Sequence, residues 1–161
     1  MSTSVFSLLV KRRFGPFFFT QFLGAFNDNV FRQALILLIA SGVVAGTEVN
    51  TLNNVALALF ILPFFLFSAL AGQLADKYDR AMLVRRIKLV EIFIMTFAAV
   101  GFFFNAVYFL LAVLFCMGLQ STFFGPIKYS IIPQHLPSRE LVSGNALVEM
   151  GTFLAILLGS I

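Results

Sequence analysis

Apolar residues fall into runs long enough to cross a lipid bilayer, and short polar segments separate these runs. A spanning helix needs about 20 apolar residues, and such runs cover residues 14–40 and 52–75. A further run, residues 92–127, contains no charged residue. As one helix it would be about 54 Å long, which is too long for a hydrocarbon core about 30 Å thick. It therefore predicts two helices, with a hairpin at Asn105.

The polar segments predict where the helices begin and end. Residues 76–88 are rich in charge and indicate a loop after the second helix. The fourth helix is expected to end within residues 126–133, because a Gly-Pro pair there breaks or kinks a helix. Ser138 is a candidate N-cap for a fifth helix over residues 141–161. The pattern thus predicts five helices.

Composition makes lipid the solvent for most of the surface. Hydrophobic residues make up 60% of the 161 residues, charged residues only 11%, and the mean hydropathy is +0.99. A soluble domain carries about 25% charged residues. The expected fold is all-α, a polytopic membrane helix bundle that forms one transmembrane domain over residues 1–161. Cys116 is the only cysteine, and it supports neither a disulfide framework nor a metal site.

The basic residues set an orientation for the helices. The net charge of +4 indicates topology and contact with membrane lipids rather than a nucleic-acid partner, because the cations flank apolar runs. The other side of the predicted membrane holds Glu48 and no Lys or Arg. Cytoplasmic loops carry the excess of Lys and Arg, so the N-terminus is expected in the cytoplasm. The nine cations on that side are Lys11, Arg12, Arg13, Lys77, Arg80, Arg85, Arg86, Lys88 and Arg139.

Polar residues inside the first predicted helix form a candidate site. Gln21, Asp28 and Arg32 share one stripe at 100° per residue, and Asn27 lies beside them. Asp28 and Arg32 have the i,i+4 spacing of an ion pair. A charge at bilayer depth costs at least about 2.5–3.5 kcal/mol, so these residues should face a bundle interior or a polar cavity. They form either a structural pair or a site for substrate or coupling ion.

Two later segments carry further candidates. Lys128, near the end of the fourth helix, either reaches the inner headgroups or contacts a phosphate-bearing substrate. Asn145 and Glu149 are spaced i,i+4 in the fifth helix and face the same way. They act either as buried contacts between helices or as a second part of a cavity.

The segment from Gly72 to Arg80 resembles a signature of the major facilitator superfamily, found between its second and third helices. The family pattern is G-x-L-a-D-x-x-G-R. The residues that match it in register are Gly72, Leu74, Asp76 and Arg80, and Asp79 replaces the second glycine. The resemblance implies a conformational latch at Gly72, Asp76 and Arg80, with close helix approach at the glycine.

Longer strings are similar to the lysophospholipid transporter branch of that superfamily. They are QFLGAFNDN at 21–29, GPIKY at 125–129, PQHL at 133–136 and ELVSGNALVE at 140–149. The resemblance implies transport of lysophospholipid across the bacterial inner membrane by alternating access. Asn27, Asp28, Arg32 and Glu149 would line the cavity, with Na⁺ or H⁺ as coupling ion and no other cofactor.

The resemblance also implies what should accompany this chain. A superfamily transporter has two six-helix halves, so we expect a missing C-terminal half or a second polypeptide. One alternative is the membrane domain of a bifunctional 2-acylglycerophosphoethanolamine acyltransferase; another is a facilitator-type transporter of small solutes. The acyltransferase pattern of His followed four residues later by Asp is absent, since Arg139 follows His135 at that spacing. We therefore expect no enzyme and no catalytic residues.

Overall fold

A computed structural model describes residues 5–43 and 49–161, and this part of the chain is helical, with no strand. As predicted, it contains five α-helices. Glu48, the acidic residue assigned to the far side, lies outside the described residues. The helices are α1 (Gly15–Ala40), α2 (Val49–Lys77), α3 (Arg80–Phe103), α4 (Val107–His135) and α5 (Leu141–Gly159), with short 3-10 helices at Val5–Val10 and Ser138–Glu140.

Three of these segments are both long and apolar enough to cross a membrane: Val49–Lys77, Val107–His135 and Ser138–Gly159. Helices α1 and α3 have comparable lengths, 26 and 24 residues, but are more polar. Helix α1 carries the polar stretch 27–33, and α3 carries charged residues in its first half. The protein is an all-α membrane protein of the helix-bundle class.

The hairpin at Asn105 is confirmed. Helix α3 ends at Phe103 and α4 begins at Val107. Asn105 has a positive φ of 51°, a left-handed conformation that Asn adopts more readily than most residues. The uncharged run is therefore divided at the position that the length argument required.

The predicted loop at residues 76–88 is wrong. Helix α2 continues to Lys77 and α3 begins at Arg80, so only Tyr78 and Asp79 connect them. The Asp79 carboxylate accepts a hydrogen bond of 2.8 Å from the backbone N–H of Met82 and caps α3. Because Arg, Lys and Met are good helix formers, the charged residues after this cap form the first turns of α3.

The predicted end of the fourth helix is wrong as well. Helix α4 continues without interruption through Pro126 and Pro133 and ends at His135. Membrane helices tolerate proline because neighbouring groups satisfy the freed backbone carbonyl. The N-cap expected at Ser138 is not found: Glu140 occupies the N-cap position of α5, and its side chain makes no capping hydrogen bond.

The described helices pack as two compact units. The central unit is Phe31–Ile127, and the terminal unit combines Met1–Val30 with Lys128–Ile161. In the central unit, buried side chains from α1 to α4 form one apolar core. There, α2 passes so close to α4 that a Cβ at Gly118 would overlap the carbonyl of Phe60. Small residues at such contacts are typical of membrane helices.

In the terminal unit, three glycines form a seam along α5. Gly144, Gly151 and Gly159 are all buried. A Cβ at Gly151 would lie 2.8 Å from the ring of Phe18, and one at Gly159 would lie 2.8 Å from both the Asn29 Cβ and the Phe26 carbonyl oxygen. The seam therefore brings α1 into direct contact with α5, and this contact positions the polar side chains described next.

Candidate substrate site in the terminal unit

Helices α4 and α5 place a lysine and a carboxylate side by side. The Lys128 Nζ lies 3.6 Å from the Glu149 Oε1. The hydroxyl of Tyr129 donates a hydrogen bond to the same carboxylate oxygen, and the Lys128 Nζ lies 4.6 Å from the centre of the Tyr129 ring. One carboxylate thus receives an ion pair and a hydrogen bond from consecutive residues of α4.

A second layer joins this pair to α1. The Lys128 Nζ is 3.5 Å from the Thr152 Oγ1, which lies 3.3 Å from the Gln21 Oε1. The Gln21 amide donates to the Val148 carbonyl at 3.2 Å, and Gln21 is only 3% exposed. We call Gln21, Lys128, Tyr129, Glu149 and Thr152 the α1–α4–α5 cluster.

The cluster lies well inside the helices that form it. Glu149 is eight residues from Leu141, the first residue of the 19-residue α5, which is about 12 Å along its axis. Its side chain is nevertheless 43% exposed. Ionised groups at such depth face a bundle interior or a water-filled cavity. The cluster therefore has the position and the open side of a polar binding site.

Lys128 faces the protein interior. Its side chain is 12% exposed and contacts Glu149 and Thr152 of α5. Contact of Lys128 with the inner headgroups and contact with a phosphate-bearing substrate both stay predictions. The neighbours of Lys128 supply one opposite charge and one hydroxyl oxygen, which leaves donor capacity on an ammonium group that has three protons.

The remaining candidates of the sequence lie on α1 and α5. Asn145, one turn before Glu149, is exposed and lies outside the cluster. Asp28 is partly buried and lies two turns beyond Gln21 on the same face of α1. Asn27 and Arg32 are also partly buried on α1. Their roles as site residues stay predictions.

The predicted latch lies around the α2–α3 connection. Gly72 is partly buried, Asp76 is exposed, and Arg80 is the first residue of α3. Apart from its chain neighbours and the adjoining backbone of α2, no described atom lies within 4 Å of a Cβ built on Gly72. The expected close helix approach at Gly72 is therefore not found in this conformation, and the latch itself stays a prediction.

Three members of the cluster were not among the selected site residues. Gln21 was noted only as part of a stripe, and Tyr129 only as part of a sequence string. Thr152 was missed, although an intramembrane hydroxyl is a signal for contact between helices. In the central unit a second network was missed: Glu91 Oε2 accepts from Lys88 at 2.6 Å and from Gln120 at 3.0 Å.

A family model described as transmembrane secretion effector matches residues 34–160. The chain belongs to this family of the major facilitator superfamily. Among the residues that the structure describes, no group of three His, Cys, Asp or Glu side chains could hold a metal ion.

The curated relatives that the chain matches are transporters. The lysophospholipid transporter LplT of Photorhabdus laumondii is 28% identical over 99% of the chain and 38% of its own length. Those of Enterobacter sp. and Escherichia fergusonii are 31% and 30% identical over 88% of the chain and 33% of their own lengths. The chain therefore spans about a third of the length of these relatives. No solved structure gives a significant match.

Proposed function

We propose that this chain is part of a transporter that moves lysophospholipids across the bacterial inner membrane by alternating access. The names of the curated relatives support the substrate class. Membership of the major facilitator superfamily supports the mechanism, in which two groups of helices rock around a site near the membrane midplane. A C-terminal half or second polypeptide would supply the other wall of the cavity.

The observation that carries the proposal is the juxtaposition of Lys128 and Glu149. A zwitterionic headgroup such as phosphoethanolamine carries a phosphate and an ammonium group. Lys128 would bind the phosphate and Glu149 the ammonium, so the substrate would replace an ion pair that already exists. Gln21 and Thr152 would hold Lys128 in place from α1 and α5.

Residues of α1 would extend the same cavity. Asn27 and Asp28 lie near the middle of α1, where polar groups of a membrane helix mark transport pathways. Arg32 belongs to the central unit and is proposed separately as a residue of the transport pathway. Asp28 or Glu149 would bind the coupling ion, Na⁺ or H⁺, since each is a carboxylate within a helix. The position of each carboxylate within its helix and its negative charge support this role.

The basic residues support the orientation. Nine Lys and Arg residues flank the beginning of α1, the α2–α3 connection and the beginning of α5. By the positive-inside rule these helix ends would lie in the cytoplasm. Labelling of a cysteine introduced at Ser7 with a membrane-impermeant reagent in intact cells would contradict this orientation.

The function is tested by uptake in the complete gene product. Spheroplasts of a strain that lacks lysophospholipid transport would express the wild type, Lys128→Gln or Glu149→Gln, and would receive radiolabelled lysophosphatidylethanolamine. We expect wild-type uptake, and a fall of about tenfold or more in both variants, because a hydrogen bond to a charged group contributes about 1.5–3 kcal/mol.

The matched control is Glu91→Gln in the central unit. Like Glu149, Glu91 is a carboxylate in a membrane helix that pairs with a lysine. Its variant should keep most of the uptake at equal membrane abundance. No uptake by the wild type would reject the substrate; an equal loss in all three variants would reject the site.

The alternative of a fused acyltransferase stays a prediction. The relatives named here are transporters, and no observation on the described residues favours a catalytic domain. Lysophospholipid acylation by the purified complete gene product would establish it.

A further inference from the structure

A second polar feature of the terminal unit lies at the helix ends, away from the α1–α4–α5 cluster. An open cavity of about 340 Å³ is lined by residues from the segment before α1, the end of α4 and the connection to α5. Its lining residues are Lys11, Arg12, Arg13, His135, Pro137, Arg139 and Glu140.

The lining is strongly cationic. Four of these side chains are Lys or Arg, and among the described lining residues the only carboxylate is that of Glu140. That carboxylate is already paired, since its Oε2 lies 2.6 Å from the Lys11 Nζ and its side chain is only 13% exposed. The guanidinium groups of Arg12, Arg13 and Arg139 are left to attract an anion, and guanidinium groups bind phosphate in bidentate geometry.

The cavity lies at the ends of three helices. Gly15 begins α1, His135 ends α4 and Leu141 begins α5, and all three positions adjoin the lining residues. Helix ends of this kind lie at the interface between hydrocarbon and water. A volume of about 340 Å³ is about that of ten liquid waters at about 30 Å³ each, which accommodates a phosphate with its glycerol.

We infer that this cavity binds the phosphate group of a net anionic ligand: the headgroup of a phospholipid such as phosphatidylglycerol, or inorganic phosphate. The charge balance distinguishes it from the α1–α4–α5 cluster, where one lysine faces one carboxylate and a zwitterionic headgroup fits. At the cavity, the ammonium group of a zwitterionic lipid finds only a carboxylate that Lys11 already neutralises. The inference does not depend on the transported substrate.

Native mass spectrometry of the complete gene product tests the inference. The detergent-solubilised protein would be mixed with equal amounts of phosphatidylglycerol and phosphatidylcholine, and the bound copies of each would be counted. We expect retention of phosphatidylglycerol. The variant Arg12→Gln/Arg13→Gln/Arg139→Gln should bind it on the order of a hundredfold more weakly, from the electrostatic contribution of each cation near a membrane surface.

A matched control separates a built site from general positive charge. The variant Lys77→Gln/Arg85→Gln/Arg86→Gln also removes three cations, all exposed and all in the central unit. It should retain phosphatidylglycerol like the wild type. An equal loss in both triple variants, or no loss in the cavity variant, would overturn the inference.

Two further measurements complete the test. Glu140→Gln should bind phosphatidylglycerol about two- to fivefold more tightly, because it frees Lys11, and a misfolded protein would not gain affinity. Inorganic phosphate should displace the lipid from the cavity if both use the same groups. Binding of inorganic phosphate without any preference for phosphatidylglycerol would assign the site to the soluble anion, and binding of neither would reject it.

Discussion

The Lys128 Nζ of α4 lies 3.6 Å from the Glu149 Oε1 of α5. Sequence reasoning selected both residues but did not pair them, since 21 positions separate them along the chain. The pairing changes the structural interpretation of both residues. Lys128 is largely buried against Glu149, and Glu149 is the more exposed member of the charge pair.

Exchanging the two charges separates a structural pair from an oriented site. The single variants Lys128→Glu and Glu149→Lys should lower membrane abundance, because each leaves two like charges together. The double variant Lys128→Glu/Glu149→Lys should restore abundance. Uptake of lysophosphatidylethanolamine should stay about tenfold or more below wild type, because phosphate and ammonium would then meet the wrong partners.

The same exchange in the central unit provides the control. Lys88→Glu/Glu91→Lys reverses an i,i+3 pair beside Gln120, whose amide can turn to accept instead of donate. Abundance and uptake should both stay close to wild type. Restored uptake in the exchanged Lys128–Glu149 variant would reduce that pair to a structural contact.

The charged residues of α1 are predicted to serve transport rather than folding. Asp28→Asn with Arg32→Gln should reach the membrane at wild-type abundance, because buried ion pairs are often replaceable by neutral groups. Lysophospholipid uptake should be lost in this double variant. Abundance would be measured by immunoblotting of membranes and uptake with radiolabelled lipid; uptake at the wild-type rate would leave the α1–α4–α5 cluster as the better site.

The glycine seam of α5 predicts a loss of stability on adding one methyl group. Gly159→Ala places a Cβ 2.8 Å from both the Asn29 Cβ and the Phe26 carbonyl oxygen, and this overpacking should cost about 1–3 kcal/mol. Gly72→Ala is the control, since its new Cβ meets no described atom within 4 Å apart from its chain neighbours and the adjoining backbone of α2. Thermal unfolding in detergent should show a lower midpoint only for Gly159→Ala.

The cap of α3 predicts different effects for two neighbouring aspartates. Asp79→Ala removes the acceptor for the Met82 N–H and should lower the free energy of unfolding by about 1 kcal/mol. Asp79→Ser should retain most of the stability, because serine also accepts a capping hydrogen bond. Asp76→Ala should cost nothing, because Asp76 is exposed at the C-terminal end of α2, where a negative charge opposes the helix dipole. Equal midpoints for the two alanine variants would contradict the capping role.

The number of helices followed from hydropathy because bilayer thickness limits the length of each apolar run. Asn105 was predictable for the same reason. The helical character of residues 80–88 was not, because charge at a membrane surface is equally compatible with a loop or a helix. The hydrogen bond that the Met82 N–H donates to the Asp79 carboxylate shows that these residues begin a helix rather than a loop.

The composition of the candidate site was only partly predictable. Periodicity places Gln21 and Asp28 on one face of α1, but it does not say which helix that face meets. Gln21 meets Thr152 because glycines at 144, 151 and 159 remove side chains from the facing surface of α5. Such a contact depends on the packing of distant segments, which a single sequence does not specify.

The connection between α2 and α3 consists of only two residues, Tyr78 and Asp79, so the end of α2 and the beginning of α3 stay close together. Helix α3 has 24 residues and is about 36 Å long at 1.5 Å per residue. Because the connection is this short, a displacement of the end of α2 would also displace the beginning of α3. A tilt of about 5° at this connection would displace the far end of α3 by about 3 Å, so a small movement at the α2–α3 connection would become a larger one at the other end of the helix.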